Sequence, residues 1–200
     1  MRILAIGGCA SVGKTTVAGE LAAALGAADV VHVDDLRAAH EASAGPSFDD
    51  AMPDVWNQPP SLLCASLIRS TRGLHQTIAV EVNNLVAAGR SGVVEGEGVE
   101  PALMQRWSGT RVGAVYIIEQ GRRRLDAAFR RRSSASRYLA LSPSEQSNVV
   151  EMNRLYATWL RAQAEEHGQA WVPAQPWATL ADRVFAAFDA RPETIRGPAW

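Results

Sequence analysis

A glycine-rich turn between a short apolar run and a helix-forming segment constrains this chain more than any other feature. Residues 8–15 fit the phosphate-binding pattern G-x-x-x-x-G-K-[ST], and we predict a strand over residues 3–6 before it and a helix over residues 17–25 after it. Glycines let backbone amides curl around an anion without a Cβ in the way, and the helix N-terminus adds its positive end. The turn therefore predicts a binding site for a nucleoside triphosphate.

Each fixed residue of the pattern has a chemical task. Lys14 is expected to reach the β- and γ-phosphates, and Thr15 to offer its hydroxyl to Mg²⁺. Lys14 is also the only lysine in a chain with nineteen arginines, so a compact point charge stands at the one position that needs it. This singular lysine and the flanking strand and helix argue against a chance glycine-rich turn. The predicted nucleotide-binding residues of the turn are Gly8, Ala10, Ser11, Val12, Gly13, Lys14, Thr15 and Thr16.

Composition limits the partners of the chain. Its 200 residues, 47% of them hydrophobic, are enough for one domain with a sizeable core, and a net charge of −1 argues against a nucleic-acid-binding surface. The first strand follows Met1 directly and no apolar run is long enough to cross a bilayer, so we expect no leader, no membrane partner and a cytoplasmic protein. Cys9 and Cys64 lack metal-ligand spacing and fit a reducing compartment. A monomer or a homodimer is expected.

Alternating strands and helices predict an α/β fold, doubly wound around a mostly parallel five-stranded sheet with helices on both faces. The predicted strands cover residues 3–6, 29–33, 92–95, 112–118 and 170–172. Ligands of such sheets bind at the carboxyl ends of the strands. We expect one domain over residues 1–188, with a helical substrate flap over about 45–90, an arginine-rich lid over about 120–140 and a tail over 189–200. Residues 44–60 are predicted to form a loop over the site, residues 133–137 a second loop, and residues 177–188 a final helix.

Two acids follow the second predicted strand. We predict that Asp34 ends this strand and acts on the attacking hydroxyl or on Mg²⁺, and that Asp35 caps the next helix. Both are also common turn residues, and that alternative stays open. The four histidines are not assigned to the site, and His32 is interpreted as a core imidazole in a buried strand.

Further charged residues follow the third and fourth predicted strands. Glu95 stands where an acid is expected to hold Mg²⁺ through water, although Glu97 is close enough to take that role and either acid is also common at a strand end. Arginines 130–132 end an amphipathic helix and precede a serine-rich loop. We predict a lid in which Arg131 and Arg132 reach the transferring phosphate and Arg130 binds the nucleotide, with a solvated helix face as the open alternative.

Several of these pieces together resemble small-molecule kinases of the phosphate-loop class. The resemblance rests on the turn at residues 8–15, on Asp34-Asp35-Leu36, on Trp56 with two prolines after it, on Val94-Glu95-Gly96 and on the arginine-rich lid. It is nearest to uridine and nicotinamide riboside kinases and to 2-phosphoglycerate-kinase-like proteins, and it implies a nucleoside-monophosphate-kinase-like fold. It also implies Asp34 as the base, Glu95 near Mg²⁺, and ATP and Mg²⁺ as cofactors.

The sequence departs from the riboside-kinase pattern, because Leu36 and Arg37 follow the two acids where those kinases carry aromatic residues. Arg37 favours an acceptor with an anionic or polar group. The predicted substrate-binding residues are Asp34, Asp35, Arg37, Trp56 and Glu97. The sequence thus predicts an ATP-dependent kinase that phosphorylates a hydroxyl of a small metabolite or natural product. A nucleotide hydrolase and a catalytically idle nucleotide-binding module are the alternatives.

Overall fold

Five parallel strands form the central sheet in a computed structural model that describes residues 1–27, 29–44, 54–108, 110–132 and 135–190. The strands are β1 (Ile3–Gly8), β2 (Asp29–His32), β3 (Gly92–Glu95), β4 (Val112–Ile118) and β5 (Ala170–Pro173). Their order across the sheet is β2-β3-β1-β4-β5, and every neighbouring pair is parallel. Every residue of β1, β3 and β4 is buried, which explains their unbroken apolar character because strands covered on both faces do not alternate.

Helices pack around this sheet, so the predicted doubly wound α/β fold class is confirmed. The α-helices are α1 (Lys14–Ala24), α2 (Val33–Ala44), α3 (Pro60–Gly73), α4 (His75–Ala87), α5 (Pro101–Met104), α6 (Arg122–Arg131), α7 (Ala135–Leu139), α8 (Pro143–Glu166) and α9 (Leu180–Asp189). Short 3₁₀ turns cover Val55–Asn57, Gln105–Trp107 and Trp177–Thr179. The predicted helical pair after residue 60 is therefore present as α3 and α4.

The long helix α8 forms one wall of the cleft above the sheet. It begins at a capping box, in which the Ser142 hydroxyl accepts a hydrogen bond from the Glu145 backbone N–H and the Glu145 carboxylate accepts one from the Ser142 N–H. Pro143 occupies the first helical position, where its missing N–H costs nothing. The helix contacts both α3 and α6, and so connects the predicted substrate flap to the predicted lid.

The boundary between β2 and α2 differs from the prediction. The strand ends at His32 and the helix begins at Val33, so Asp34 and Asp35 both lie in the first helical turn and Asp35 is not the cap. Buried Val33 fixes this start, because it fills the space above Gly96, where a Cβ would approach the Cβ of Val33 to 2.3 Å. Carboxylates in a first turn face the positive end of the helix dipole, which explains why this turn accepts two adjacent acids.

Three other boundaries need correction. Residues 135–137 belong to α7 rather than to a loop. Residues 101–107, where the sequence also suits one helix with Pro101 near its start, divide into α5 and a 3₁₀ turn. The last helix is preceded by the turn at Trp177–Thr179. The middle of the predicted loop over the site, residues 45–53, lies outside the described residues, as do residues 133–134 of the predicted lid loop and residues 191–200 of the predicted tail.

Within the described ranges, no helix combines the length and apolarity that a bilayer crossing requires. Both cysteines are buried free thiols.

Candidate active site

The predicted phosphate-binding turn leads from β1 into α1, at the middle of the sheet. Gly8 ends the strand, and a Cβ there would come within 2.7 Å of the Ile117 carbonyl oxygen. Gly13 has a left-handed φ of 91°, and its missing Cβ leaves room for the Trp177 ring, which would otherwise lie 2.6 Å away. Each glycine is therefore required by close neighbours as well as by the curvature of the turn.

A buried asparagine from α8 holds the turn. The Asn153 Oδ1 accepts a hydrogen bond from the Ala10 backbone N–H at 3.2 Å, and its Nδ2 donates to the Val149 carbonyl at 2.9 Å. Asn153 is 1% exposed, so both bonds form away from water. The sequence analysis missed this residue, because nothing in a helical pattern marks which polar side chain faces a distant loop.

Lys14 lies inside the turn. Its Nζ donates to the Cys9 carbonyl oxygen at 2.8 Å, and the residue is only 9% exposed. Burial raises the pKa of the adjacent Cys9 thiol to about 12, so this sulfur stays neutral and unreactive at physiological pH. The ammonium is the charged group of the turn, and it is held close to where the turn would bind phosphate.

Glu95 and Thr15 form an oxygen-rich pair beside the lysine. The Thr15 hydroxyl donates to Glu95 Oε1 at 2.9 Å, and the Glu95 side chain is 5% exposed. Glu97, the alternative acid, instead lies near Arg37, with 4.0 Å between its Oε2 and the Arg37 Nη2. Within the described part of the chain, no group of three or more His, Cys, Asp or Glu side chains is arranged to hold a metal. A hydroxyl next to one carboxylate still fits Mg²⁺, which prefers oxygen ligands and keeps several of its waters.

A cavity of about 1170 Å³ extends from this turn between α2, α6 and α8. Six predicted nucleotide-binding residues line it, namely Ala10, Ser11, Gly13, Lys14, Thr15 and Thr16. Val12 is 1% exposed and belongs to the core instead. The cavity exceeds the range of about 300–1,000 Å³ that is typical of a site for one small ligand.

The predicted substrate residues lie on the α2 side of the cavity, with one exception. Asp34, Arg37, Trp56 and Glu97 line it, whereas the neighbouring Asp35, although also exposed, does not. Arg37 donates to the Ser70 hydroxyl at 3.2 Å, which connects α2 to α3. The apolar residues on this side of the cavity include Leu67, Leu141, Val149 and Met152.

The three predicted lid arginines separate into two kinds. Arg131 and Arg132 line the cavity, and Arg132 Nη1 lies 3.5 Å from the Ser11 hydroxyl oxygen in the phosphate-binding turn. Arg130 points elsewhere and binds Asp126 at 2.9 Å and Gln146 at 2.8 Å. Its hydrogen bond lowers the pKa of the Asp126 carboxyl. The expectation that Arg130 binds nucleotide is therefore not supported by its position.

Three further cavity residues were not predicted from the sequence. Arg124 and Arg137 add positive charge to the lid side, and Trp177 lies at the end near Gly13 with 41% of its surface exposed. The rule that ligands bind beyond strand carboxyl ends could have identified Trp177, since it follows β5 by only a few residues. His32 was interpreted as a core imidazole, and this was wrong: its side chain is 36% exposed and contacts Glu95.

Comparisons with known proteins complete this description. No protein-family model matches the chain, and no curated protein matches its sequence.

Solved structures do match over nearly the whole chain. Shikimate kinase from Acinetobacter baumannii in complex with shikimate is 16% identical, with a TM-score of 0.51 and 96% of each chain covered. A gluconokinase from Sinorhizobium meliloti 1021 is 17% identical, with a TM-score of 0.48 and coverage of 94% of this chain and 91% of its own. A sugar kinase from Janibacter sp. HTCC2649 is 14% identical, with a TM-score of 0.49 and coverage of 97% and 98%.

These neighbours are a shikimate kinase, a gluconokinase and a sugar kinase, so the expected likeness to riboside kinases is not shown. At such low identity the likeness concerns the fold alone. The protein has a five-stranded, all-parallel sheet of the kind found in shikimate kinase.

Proposed function

We propose that this protein is an ATP- and Mg²⁺-dependent kinase that transfers the γ-phosphoryl group to a hydroxyl of a small metabolite or natural product. The observation that carries the proposal is that one cavity contains the phosphate-binding turn, the Asp34 carboxylate and the lid arginines. Phosphoryl transfer depends on positioning and on charge stabilisation, and this cavity provides groups for both.

The proposed reaction assigns one task to each group. The acceptor hydroxyl oxygen attacks the γ-phosphorus, its proton passes to the Asp34 carboxylate, and the bond between the γ-phosphorus and the β,γ-bridging oxygen breaks to release ADP. Lys14, Arg131 and Arg132 stabilise the negative charge on the phosphoryl oxygens. Thr15 and Glu95 would hold Mg²⁺, which neutralises phosphate charge when bound.

The α2 side of the cavity is the proposed acceptor site. Arg37, Trp56 and Glu97 provide polar and aromatic contacts there, beside apolar side chains from α3 and α8. A mixed lining of this kind binds a molecule that carries both polar groups and apolar surface. We propose that α3 and α4 belong to the substrate flap and that α6 and α7 belong to the lid. Asp35, exposed and outside the cavity lining, has no role in this proposal.

The function is tested by incubating the protein with ATP, Mg²⁺ and pools of hydroxyl compounds, and by searching for phosphorylated products by mass spectrometry. A kinase yields an acceptor that has gained one phosphoryl group. ATP consumption with inorganic phosphate as the only product would indicate a nucleotide hydrolase. ATP binding without any product, across pools that cover sugars, acids and aminoglycoside-like compounds, would indicate a binding module.

Replacing both cavity arginines tests the lid. We expect the double variant Arg131→Ala, Arg132→Ala to lower kcat by about 10²–10³-fold, with a smaller effect on KM for ATP, because charge contacts of this kind strengthen in the transition state. Arg130→Ala is the matched control: it removes a neighbouring arginine that binds Asp126 outside the cavity, and it should leave kcat near the wild-type value. If the double variant also keeps kcat near the wild-type value, all three arginines belong to the solvated helix surface.

Trp177 is proposed to stack on the nucleobase, because it is an exposed aromatic ring packed on Gly13 at the lid side of the cavity. Base stacking on an aromatic side chain contributes about 1–3 kcal/mol, so Trp177→Ala should weaken ATP binding by roughly tenfold to a hundredfold. Binding of inorganic tripolyphosphate, which has no base, should not change, and Trp177→Phe should retain most of the ATP affinity. Calorimetric titration with both ligands checks this, and equal losses for both would show that Trp177 only supports the turn.

A further inference from the structure

His32 ends β2 at the carboxyl edge of the sheet, directly beside Glu95 of β3 in the parallel register. The His32 Nδ1 lies 2.6 Å from Glu95 Oε1. The imidazole is 36% exposed, whereas the carboxylate it contacts is 5% exposed. His32 is therefore a partly exposed side chain in contact with an almost buried acid.

The same carboxylate oxygen also accepts the Thr15 hydroxyl. Glu95 Oε1 lies 2.9 Å from Thr15 Oγ1, so one oxygen contacts both side chains. The Thr15 hydroxyl is the donor in its contact, and the His32 Nδ1 lies within hydrogen-bond distance of the same carboxylate oxygen. Because the Thr15 proton is directed to Glu95, the lone pairs of its oxygen are left for another partner.

The contact is not needed to hold the two strands together. The parallel pairing of β2 with β3 extends over Asp29–His32 and Gly92–Glu95. What the histidine adds is a fixed side-chain conformation for Glu95. A glutamate side chain loses rotamer entropy when it is immobilised, and a second hydrogen bond helps to offset that cost.

We infer that His32 is a positioning residue for Mg²⁺: by holding Glu95 Oε1, it keeps the Glu95 carboxylate and the Thr15 hydroxyl preset to receive the ion. This inference rests on the proposed function, because it assumes that a nucleotide and Mg²⁺ bind at the phosphate-binding turn. Partners that orient the residues at a metal site commonly affect metal affinity about 10–100-fold. His32 is not among the residues that line the cavity, so we assign it no contact with nucleotide or acceptor.

The test measures the Mg²⁺ dependence of nucleotide binding rather than catalysis. The non-hydrolysable analogue β,γ-imido-ATP is titrated calorimetrically into the full-length protein, first in EDTA and then at increasing Mg²⁺ concentrations. For His32→Leu we expect the Mg²⁺ midpoint to rise about 10–100-fold, while affinity in EDTA stays unchanged. In His32→Asn the amide nitrogen takes the place of Nδ1, so this variant should keep a midpoint close to wild type. The control is His40→Leu, which removes an exposed histidine of α2 outside the cavity lining.

The outcomes separate this inference from the proposed function. An unchanged Mg²⁺ midpoint in His32→Leu would overturn the positioning role, and so would an equal loss of affinity in EDTA and in Mg²⁺, which is what a merely structural role predicts. Both results leave the kinase proposal intact, since the wild-type protein still binds nucleotide with Mg²⁺. If the wild-type protein shows no Mg²⁺-dependent binding of the analogue, the proposed function itself fails and this inference fails with it.

Discussion

Lys14→Met should reduce ATP turnover to background. The ammonium is the only lysine charge in the protein and lies inside the predicted phosphate-binding turn, so on the proposed function its removal takes a fixed cation away from the transferring phosphate. Loss of one preorganised charge contact typically costs about 10²–10³-fold in kcat, and here ground-state ATP binding should weaken as well. Steady-state kinetics and calorimetric ATP titration measure the two effects.

The fold of this variant should survive, with a modest loss of stability. Lys14→Met leaves the Cys9 carbonyl without its hydrogen bond, which costs about 1–3 kcal/mol when the group stays buried. Lys14→Arg keeps the charge but should still be damaging, because a planar guanidinium does not fit the space of an ammonium within the turn. Wild-type turnover in either variant would contradict a phosphate site at this turn.

Asp34→Asn and Asp35→Asn should have very different effects on catalysis. The carboxylate at 34 lines the cavity and is the proposed proton acceptor, so its amide should lower kcat by about a hundredfold or more while ATP still binds. Asp35→Asn should leave kcat nearly unchanged. The pair is closely matched, because both residues are exposed acids in the first turn of α2 and both substitutions remove a charge near the same helix dipole.

Their stability effects should therefore be small and similar. A charge in a first helical turn is worth about 0.3–1 kcal/mol, and neither residue caps the helix. Comparison of kcat, ATP affinity and melting temperature separates chemistry from stability. If Asp35→Asn abolishes turnover and Asp34→Asn does not, the assignment of the base is wrong by one residue.

Local pattern was sufficient to predict much of the fold. The three central strands β1, β3 and β4 were recognisable because buried parallel strands are short apolar runs. The turn between β1 and α1 was recognisable because phosphate binding restricts residue types at fixed spacing. Strand order was not predictable, since no local pattern encodes which strands become neighbours. That order places β3 next to β2, and so brings His32 beside Glu95.

The errors in the site have similar physical causes. All three arginines at 130–132 were predicted to face the nucleotide, yet successive residues of a helix point about 100° apart, and Arg130 turns toward Asp126. The i,i+4 spacing of Asp126 and Arg130 could have predicted that ion pair. The prediction extended β2 beyond its end at His32, because Val33 is β-branched, yet Val33 packs against Gly96 as the first residue of the helix.

The proposal that this cavity transfers phosphate to an acceptor hydroxyl is tested most directly with heavy-oxygen water. Wild-type protein is incubated with ATP, Mg²⁺ and hydroxyl compounds in H₂¹⁸O. The ¹⁸O content of the phosphate-containing products is then measured by mass spectrometry. We expect the γ-phosphoryl group to be recovered in a phosphate monoester without solvent oxygen, in proportion to the ADP formed. Recovery of all the phosphate as inorganic phosphate that carries an ¹⁸O atom from solvent would contradict the account, because water would then be the acceptor.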